Sequence, residues 1–255
     1  MKFAKKSLGQ NFLIEKNIIK KILNLTDLNR RNIIEIGPGR GELTNEILKF
    51  KPKSLTLIEK DNDFAKYLKE LYSKKKICVF NTDVLKFDFN KINKEKIVLI
   101  GNLPYNISSQ ILIKILKQKN LEKKFDDIIF MFQKELGEKI LGKFLSKNYG
   151  RLSIITNLKL KVVKKFLVSA NCFFPKPKVT SMIIYFRPIK KRVYKIKDLS
   201  NLEKVTSVLF SNKRKMINKR IKKILDIKKL KKLPELNFSL RPEQISPEIF
   251  YKITE

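Results

Sequence analysis

The chain has 255 residues and a formal net charge of +34, from 58 Lys and Arg against 24 Asp and Glu. A surface this positive attracts polyanions, nucleic acid first. Histidine is absent, which excludes Ser-His-Asp and Cys-His catalysis and every His-containing metal site.

In chain order, Ile18, Ile19, Ile22 and Leu23 share one face of a helix over 15–25. A strand follows at 32–37 and a helix over 41–49, then a strand at 54–59 and a helix over 62–72. Strands at 76–81 and 96–102, a helix over 110–117, a strand at 127–133 and a helix over 134–146 continue the alternation. Two more strands, 157–168 and 181–188, have no long helix between them and are expected to include an antiparallel pair. Strands rich in Ile and Val that alternate with helices predict an α/β, Rossmann-like domain, with a mostly parallel seven-stranded sheet covered on both faces. Hydrophobic residues, 43% of the chain, supply its core.

After Pro188 the composition changes. Residues 189–255 carry 19 Lys and Arg against 7 acids and read as helical throughout. In 213–225, Met216, Ile217, Ile221, Ile224 and Leu225 oppose a basic face. "SPEIFYKI" opens a last helix with Ser246 as N-cap and Pro247 in its first turn. The sequence therefore predicts a sheet domain over 1–188 and a small, basic, all-helical domain over 189–255. No apolar run reaches the ~20 residues of a membrane span, and the start "MKFAKKSLGQNF" lacks a signal-peptide core, so a cytoplasmic protein away from membranes is expected. Cys78 and Cys172 are too far apart to form a zinc cluster and read as buried, reduced thiols. No metal site is expected.

The turn "EIGPGRG" places Gly37, Gly39 and Gly41 between a buried strand and a helix, where glycine permits tight turning and close approach of a ligand to backbone. Glu59 closes the next strand, about twenty residues on, where a carboxylate can accept hydrogen bonds from ribose hydroxyls. Asp83 ends the third strand and is placed to take an adenine amino group. Three such positions at successive strand ends predict a nucleoside cofactor. The nicotinamide fingerprint is G-x-G-x-x-G; the G-x-G-x-G spacing here resembles S-adenosylmethionine-dependent methyltransferases.

At the end of the fourth strand stands Asn102-Leu103-Pro104-Tyr105. It resembles the Asn/Asp-Pro-Pro-Tyr motifs of methyltransferases that act on planar amino groups. An exocyclic adenine nitrogen is a poor nucleophile because its lone pair is delocalised into the ring. If the Asn102 side-chain oxygen and the Leu103 carbonyl accept its two hydrogens, the lone pair is drawn towards the methyl. Pro104 biases Leu103 to an extended backbone, and Tyr105 offers a ring on which the base can stack. Catalysis by positioning needs no general base.

With these residues in place, the chain resembles the small-subunit ribosomal RNA adenine dimethyltransferases over nearly its full length. The matching pieces are "LGQNFL" (8–13), "EIGPGRGELT" (35–44), "IEKD" (58–61), "NTDVLKFDF" (81–89) and "GNLPYNIS" (101–108). "FQKE" (132–135), "YGRLS" (149–153), "FFPKPKV" (173–179) and "RPEQISPEIF" (241–250) follow. The resemblance implies a class I methyltransferase fold and S-adenosylmethionine as cofactor, with Asn11 and Leu13 touching it. Gly37 and Gly39 would hold its methionine portion, Glu59 the ribose and Asp83 the adenine, and Asn102 would lie between cofactor and substrate. Phe173 would flank the target base opposite Tyr105.

The implied reaction places two methyls on N6 of each of two adjacent adenosines near the 3′ end of small-subunit RNA, within an immature subunit, by a monomeric enzyme. Arg151, Lys176, Lys178, Lys213, Arg214 and Lys215 are the expected RNA contacts. "FFPKPKVTS" departs from the F-x-P-P-P-K-V-D-S of many such relatives, and "PKPKV" also occurs in enzymes that modify large-subunit RNA. Those enzymes, a non-catalytic RNA-binding assembly or transcription factor of the same fold, and a DNA adenine methyltransferase are the alternatives.

Overall fold

A computed structural model describes residues 10–191, 193, 194, 196, 198–224 and 236–255. Leu8 and Gly9 of the first matched motif, and Leu225 of the basic helix, lie outside the described residues. In chain order, β1 (Phe12–Leu13) and α1 (Lys16–Leu23) precede β2 (Asn32–Ile36), α2 (Glu42–Lys49), β3 (Ser54–Glu59), α3 (Asn62–Leu71) and β4 (Ile77–Asn81). Then come β5 (Ile97–Asn102), α4 (Ser108–Leu116), the short α5 (Leu121–Lys124), β6 (Phe125–Gln133) and α6 (Lys134–Ile140). After α7 (Arg151–Lys159) follow β7 (Leu160–Val168), β8 (Phe173–Phe174) and β9 (Ser181–Pro188), then α8 (Leu199–Phe210), α9 (Asn218–Ile221) and a closing helix, Pro247–Thr254.

Seven strands form one sheet in the order β4-β3-β2-β5-β6-β9-β7. β2 pairs in parallel with β3 and β5, β3 with β4, and β5 with β6, whereas β6 and β9 are antiparallel. The central strands are buried on both faces: Ile33, Ile34, Glu35 and Ile36 of β2 are all inaccessible, as are Val98, Leu99 and Ile100 of β5. That is why these segments read as near-continuous apolar runs, interrupted in β2 by Glu35, rather than alternating ones. Chain order reverses between β2 and β5, and a crevice opens at the carboxyl ends of the strands where this happens. The helices that follow β2 and β3 start at that crevice; Asp61 fixes the start of α3 by accepting from the Asp63 and Phe64 backbone N–H groups.

Several expectations need correction. The thiols are free, but Cys78 is exposed and Cys172 half-buried, because β4 is the edge strand and turns Cys78 outward. Residues 157–159 close α7 instead of opening β7, since Leu158 and Lys159 are covered in its last turn. The helix expected over 134–146 stops at Ile140. Among the described residues of 213–225, Asn218–Ile221 alone is α-helical: Lys215 N–H turns back to the Asn212 carbonyl and Ile217 N–H is donated to the Leu240 carbonyl. Ile217 and Ile221 are buried as expected, whereas Met216 is 53% exposed.

The chain divides into two compact units, residues 1–137 with 161–188, and residues 138–160 with 189–255. The sequence reading kept 138–160 with the sheet. The contacts of that segment explain its membership of the second unit. The Tyr149 hydroxyl donates to the Ile245 carbonyl at 2.9 Å and its ring meets Phe210 edge-on at 6.3 Å. The Tyr251 hydroxyl donates to the Ile154 carbonyl at 2.7 Å. Among the described residues the second unit is helical, and no helix among the described residues of the chain is long and apolar enough to cross a membrane.

Candidate active site

The crevice at the sheet's carboxyl end is a cavity lined by Asn11, Leu13, Gly37, Gly39, Glu59, Asp83 and the whole Asn102–Tyr105 stretch, among others. Residues scattered over some ninety positions of sequence thus meet because each ends a strand, stands in the turn just beyond one or, like Asn11, comes immediately before one.

The glycine turn makes the floor. Gly37, Gly39 and Gly41 all have positive φ, at 68°, 55° and 87°, a region in which side chains are strained. At Gly39 there is also no room: a Cβ would lie 2.7 Å from the Phe12 ring. Glu59, 6% exposed at the end of β3, accepts the Gly39 N–H at 3.0 Å and the Asp61 N–H at 2.8 Å through its two oxygens. Burial pushes its carboxyl above the usual range, against those hydrogen bonds. The Lys60 backbone N–H acts in the same direction as those two bonds, and a carboxylate has about four acceptor positions in all.

Asp83 is held differently. Burial works to raise its pKa, but Lys60 Nζ at 2.9 Å and the Leu85 N–H at 2.8 Å outweigh that and hold it below the usual range. It therefore stays an anion, beside a cavity that also offers apolar walls from Leu13, Ile58, Val84 and Ile100.

Asn102 closes β5. Its Nδ2 donates to the Asn11 carbonyl at 2.8 Å. A carbonyl can only accept, so this contact fixes which way the amide points and leaves Oδ1 as an acceptor. Leu103 is 1% exposed, and the Ile107 N–H donated to the Pro104 carbonyl tightens the turn that leads into α4. The Tyr105 hydroxyl shares a 2.5 Å hydrogen bond with Ser181 Oγ of β9, which locks the ring's edge. Burial raises the Tyr105 pKa, so the phenol is neutral throughout the physiological range.

Phe173 does not share this cavity. It is 3% exposed, packs among core residues such as Leu13, Val168 and Tyr185, and is not one of the lining residues. β8 alternates, so the open ring is that of its neighbour Phe174, 54% exposed. Of the expected RNA contacts, all six are exposed. Lys213 Nζ donates to the Tyr149 carbonyl, two residues before Arg151, so these two bases share one neighbourhood of the second unit.

Sequence reasoning assigned no role to Glu35, Gln10, Lys60 or Ser181. Glu35 carried a legible signal, an acid inside an all-apolar strand. It is 1% exposed, accepts from Thr44 Oγ1 at 2.6 Å, and burial pushes its carboxyl up to about 8. Ser181 carried none, since its partner Tyr105 lies 76 residues away.

Comparison with known proteins agrees with this geometry. The family model described as ribosomal RNA adenine dimethylase matches residues 1–255. The chain is 42% identical, over 99% of its length and 96% of the relative's, to a protein of Pelagibacter ubique strain HTCC1062 named ribosomal RNA small subunit methyltransferase A. Among solved structures it is similar to a dimethyladenosine transferase from Plasmodium falciparum, with a TM-score of 0.78 and 26% identity over 95% of both chains. It also shares its fold with the 23S rRNA methyltransferase ErmE, at a TM-score of 0.67 and 23% identity over 95% of this chain and 98% of that one. The match over every residue, joined to 42% identity along a full-length relative, means that the chain belongs to the ribosomal RNA adenine dimethylase family and is an rRNA adenine methyltransferase with the class I fold.

Proposed function

We propose that the protein transfers methyl groups from S-adenosylmethionine to N6 of two adjacent adenosines near the 3′ end of small-subunit ribosomal RNA, as a step in maturation of that subunit. The observation that carries this reading is the Asn102 amide, committed through Nδ2 to Asn11 with Oδ1 left as an acceptor beside the cavity.

The residues fit the cofactor. Glu59 and Asp83 offer carboxylate acceptors suited to a ribose and an adenine amino group, and the Gly37–Gly39 turn presents backbone without side chains. The cofactor supplies an electrophilic methyl on a sulfonium. The rest is done by the chain. Asn102 Oδ1 and the Leu103 carbonyl accept the two hydrogens of the target amine, which withdraws its lone pair from ring conjugation. The Tyr105 ring stacks on the base and faces the positive charge that grows there, an interaction worth about 2 kcal/mol when desolvated. Ser181 holds the ring in place. No histidine is present to act as base, and none is needed, because the proton leaves only after the nitrogen has become cationic. Most of the rate then comes from alignment and preorganised acceptors.

The basic helical unit, through Arg151, Lys213, Arg214 and Lys215, and the loop residues Lys176 and Lys178 grip phosphates of the RNA; their exposure supports this. A single-stranded target suits the cavity, since an unstacked base can be splayed into it. Small-subunit RNA is favoured over large-subunit RNA by the 42% identity to a protein named for the small subunit.

The test is transfer of labelled methyl from S-adenosylmethionine to immature small subunits and, side by side, to large-subunit RNA, followed by nucleoside analysis. N6,N6-dimethyladenosine in the small-subunit RNA is the expected product. Label in large-subunit RNA alone, or none in either, overturns the reading.

A further inference from the structure

β1 and β8 form a two-stranded antiparallel ribbon in which Leu13 is paired with Phe173 and Phe12 with Phe174. Directly paired residues point to the same face, and successive residues to opposite faces. One face, Leu13 and Phe173, is packed into the core, and of these two Leu13 also reaches the cavity wall. The other face runs from closed to open: Phe12 is 6% exposed and lines the cavity, whereas Phe174 is 54% exposed and lies outside the lining.

Arg40, from the glycine turn, lies over this second face. Its guanidinium carbon is 4.5 Å from the centre of the Phe12 ring and 5.8 Å from that of Phe174. Phe12 is held from behind, because Gly39 leaves it no spare space and Phe64 meets it edge-on at 5.5 Å. The open ring at the cavity rim is thus mounted on a rigid support and flanked by a positive charge. Lys176 and Lys178, both exposed, follow two and four residues later.

We propose that Phe174, with Arg40 beside it, is a stacking platform for an unpaired base of the RNA that neighbours the target adenosine. This rests on the reading of the protein as an RNA methyltransferase. Single-stranded RNA is held by aromatic faces on which bases stack and by cations that follow its phosphates, and a guanidinium backed by an aromatic ring serves both needs. The neighbouring base is assigned here because the target enters the cavity that Phe12 lines, and Phe174 is the next position outward on the same face. A base held at the rim fixes the register of the strand, and so which nucleotide reaches Tyr105.

Phe174→Leu removes the aromatic face but keeps an apolar side chain at a half-open position, so folding is preserved. Three quantities are compared with the native chain: KM for immature small subunits, S-adenosylhomocysteine affinity by calorimetry, and fluorescence of a hairpin RNA. The hairpin carries two adjacent adenosines in its loop, with 2-aminopurine next to them. The platform predicts a KM about tenfold higher for Phe174→Leu, cofactor-product affinity within twofold, and quenching of 2-aminopurine by the native chain that the variant loses. Phe174→Tyr, which restores the ring, recovers both KM and quenching. Unchanged KM and quenching in Phe174→Leu overturn the platform while leaving the methyltransferase reading in place. A native chain that transfers no methyl overturns both.

Discussion

The two ends of the sheet in the first unit both bury carboxylates, and they treat them in opposite ways. At the amino end, Asp127 of β6 is 2% exposed and saturated with partners. Tyr185 Oη donates to its Oδ1 at 2.5 Å and Arg187 Nε at 2.9 Å, Thr26 Oγ1 donates to Oδ2 at 3.0 Å, and Arg31 stands 3.5 Å away. At the carboxyl end, Glu59, Asp83 and Asn102 each have partners on some of their polar positions and line a cavity. A buried polar group with every lone pair used holds a fold together; one with acceptors in reserve beside a cavity is available to a ligand.

The sharpest way to break this contrast is Asn102→Ala. It removes the acceptor and the tie to Asn11 together, and kcat should fall by about 10³-fold, in line with loss of a preorganised transition-state partner. RNA affinity, measured by filter binding, should stay within a few-fold. Asn102→Asp should fail as badly, because it keeps an oxygen but loses the donor that Asn11 accepts. A variant of either kind with near-native turnover would remove Asn102 from the chemistry.

Asp127→Asn should do the reverse. Uncoupling a saturated carboxylate from Arg187, Tyr185 and Thr26 is expected to cost about 2–4 kcal/mol of stability, and so to lower the thermal midpoint by roughly 5–12 °C. Arg187 is half exposed, which keeps the figure below that of a fully buried pair. Turnover at 25 °C should be unchanged. The pH dependence follows from the direction of the shift. Burial raises the Asp127 pKa, but its hydrogen bonds outweigh burial and hold it below the unfolded value. Its contribution is therefore complete above the unfolded pKa and is lost as pH falls through the folded one. Below that range native and variant midpoints should converge, and a gap that persists in acid would show that the charge is not what stabilises.

The same contrast explains how much was legible in the sequence. Glycines, Glu59, Asp83 and Asn102 stand at strand ends, and strand ends can be read from apolar runs, so the cavity's polar rim was visible. Asp127 was visible only as the start of a strand. Its role depends on Tyr185 and Arg187, which the β6–β9 pairing brings beside it, and on Thr26, which comes from the segment between α1 and β2. Phe173 was read from its motif as the ring beside the target base, but one-residue alternation in β8 decides which of two adjacent rings is open, and pairing with Leu13 turns Phe173 inward. Residues 138–160 read as part of the sheet domain because composition does not change until Pro188. It is the Tyr149 and Tyr251 hydroxyls, bonded to distant carbonyls, that tie them to the second unit.

Glu35 lies between the two classes: buried like Asp127, yet on the cavity wall. Burial raises its folded pKa to about 8 from an unfolded 4.5. A group raised in this way contributes fully below the unfolded value, and the contribution is lost as pH rises towards the folded one. Between pH 5 and 8 the native midpoint should therefore fall relative to that of Glu35→Gln, which keeps an acceptor for Thr44 and has no proton to lose. Parallel midpoints across that interval would mean that the carboxyl is ionised in the folded chain and that the acid has a partner of another kind.

The smallest expected effect separates the Tyr105 ring from its hydroxyl. If stacking and the ring's face towards developing charge are what matter, Tyr105→Phe loses only the bond to Ser181, worth about 0.5–1.5 kcal/mol, and kcat/KM should drop no more than about tenfold. Ser181→Ala should match it, and the double variant should be no worse than either, because one hydrogen bond cannot be lost twice. Tyr105→Ala should fall well beyond them. Burial raises the phenol pKa, so no limb in the rate profile between pH 6 and 9 should disappear on Tyr105→Phe. Equal losses for Phe and Ala at position 105 would instead assign the hydroxyl to the reaction, and the site would then depend on a proton that positioning alone does not use.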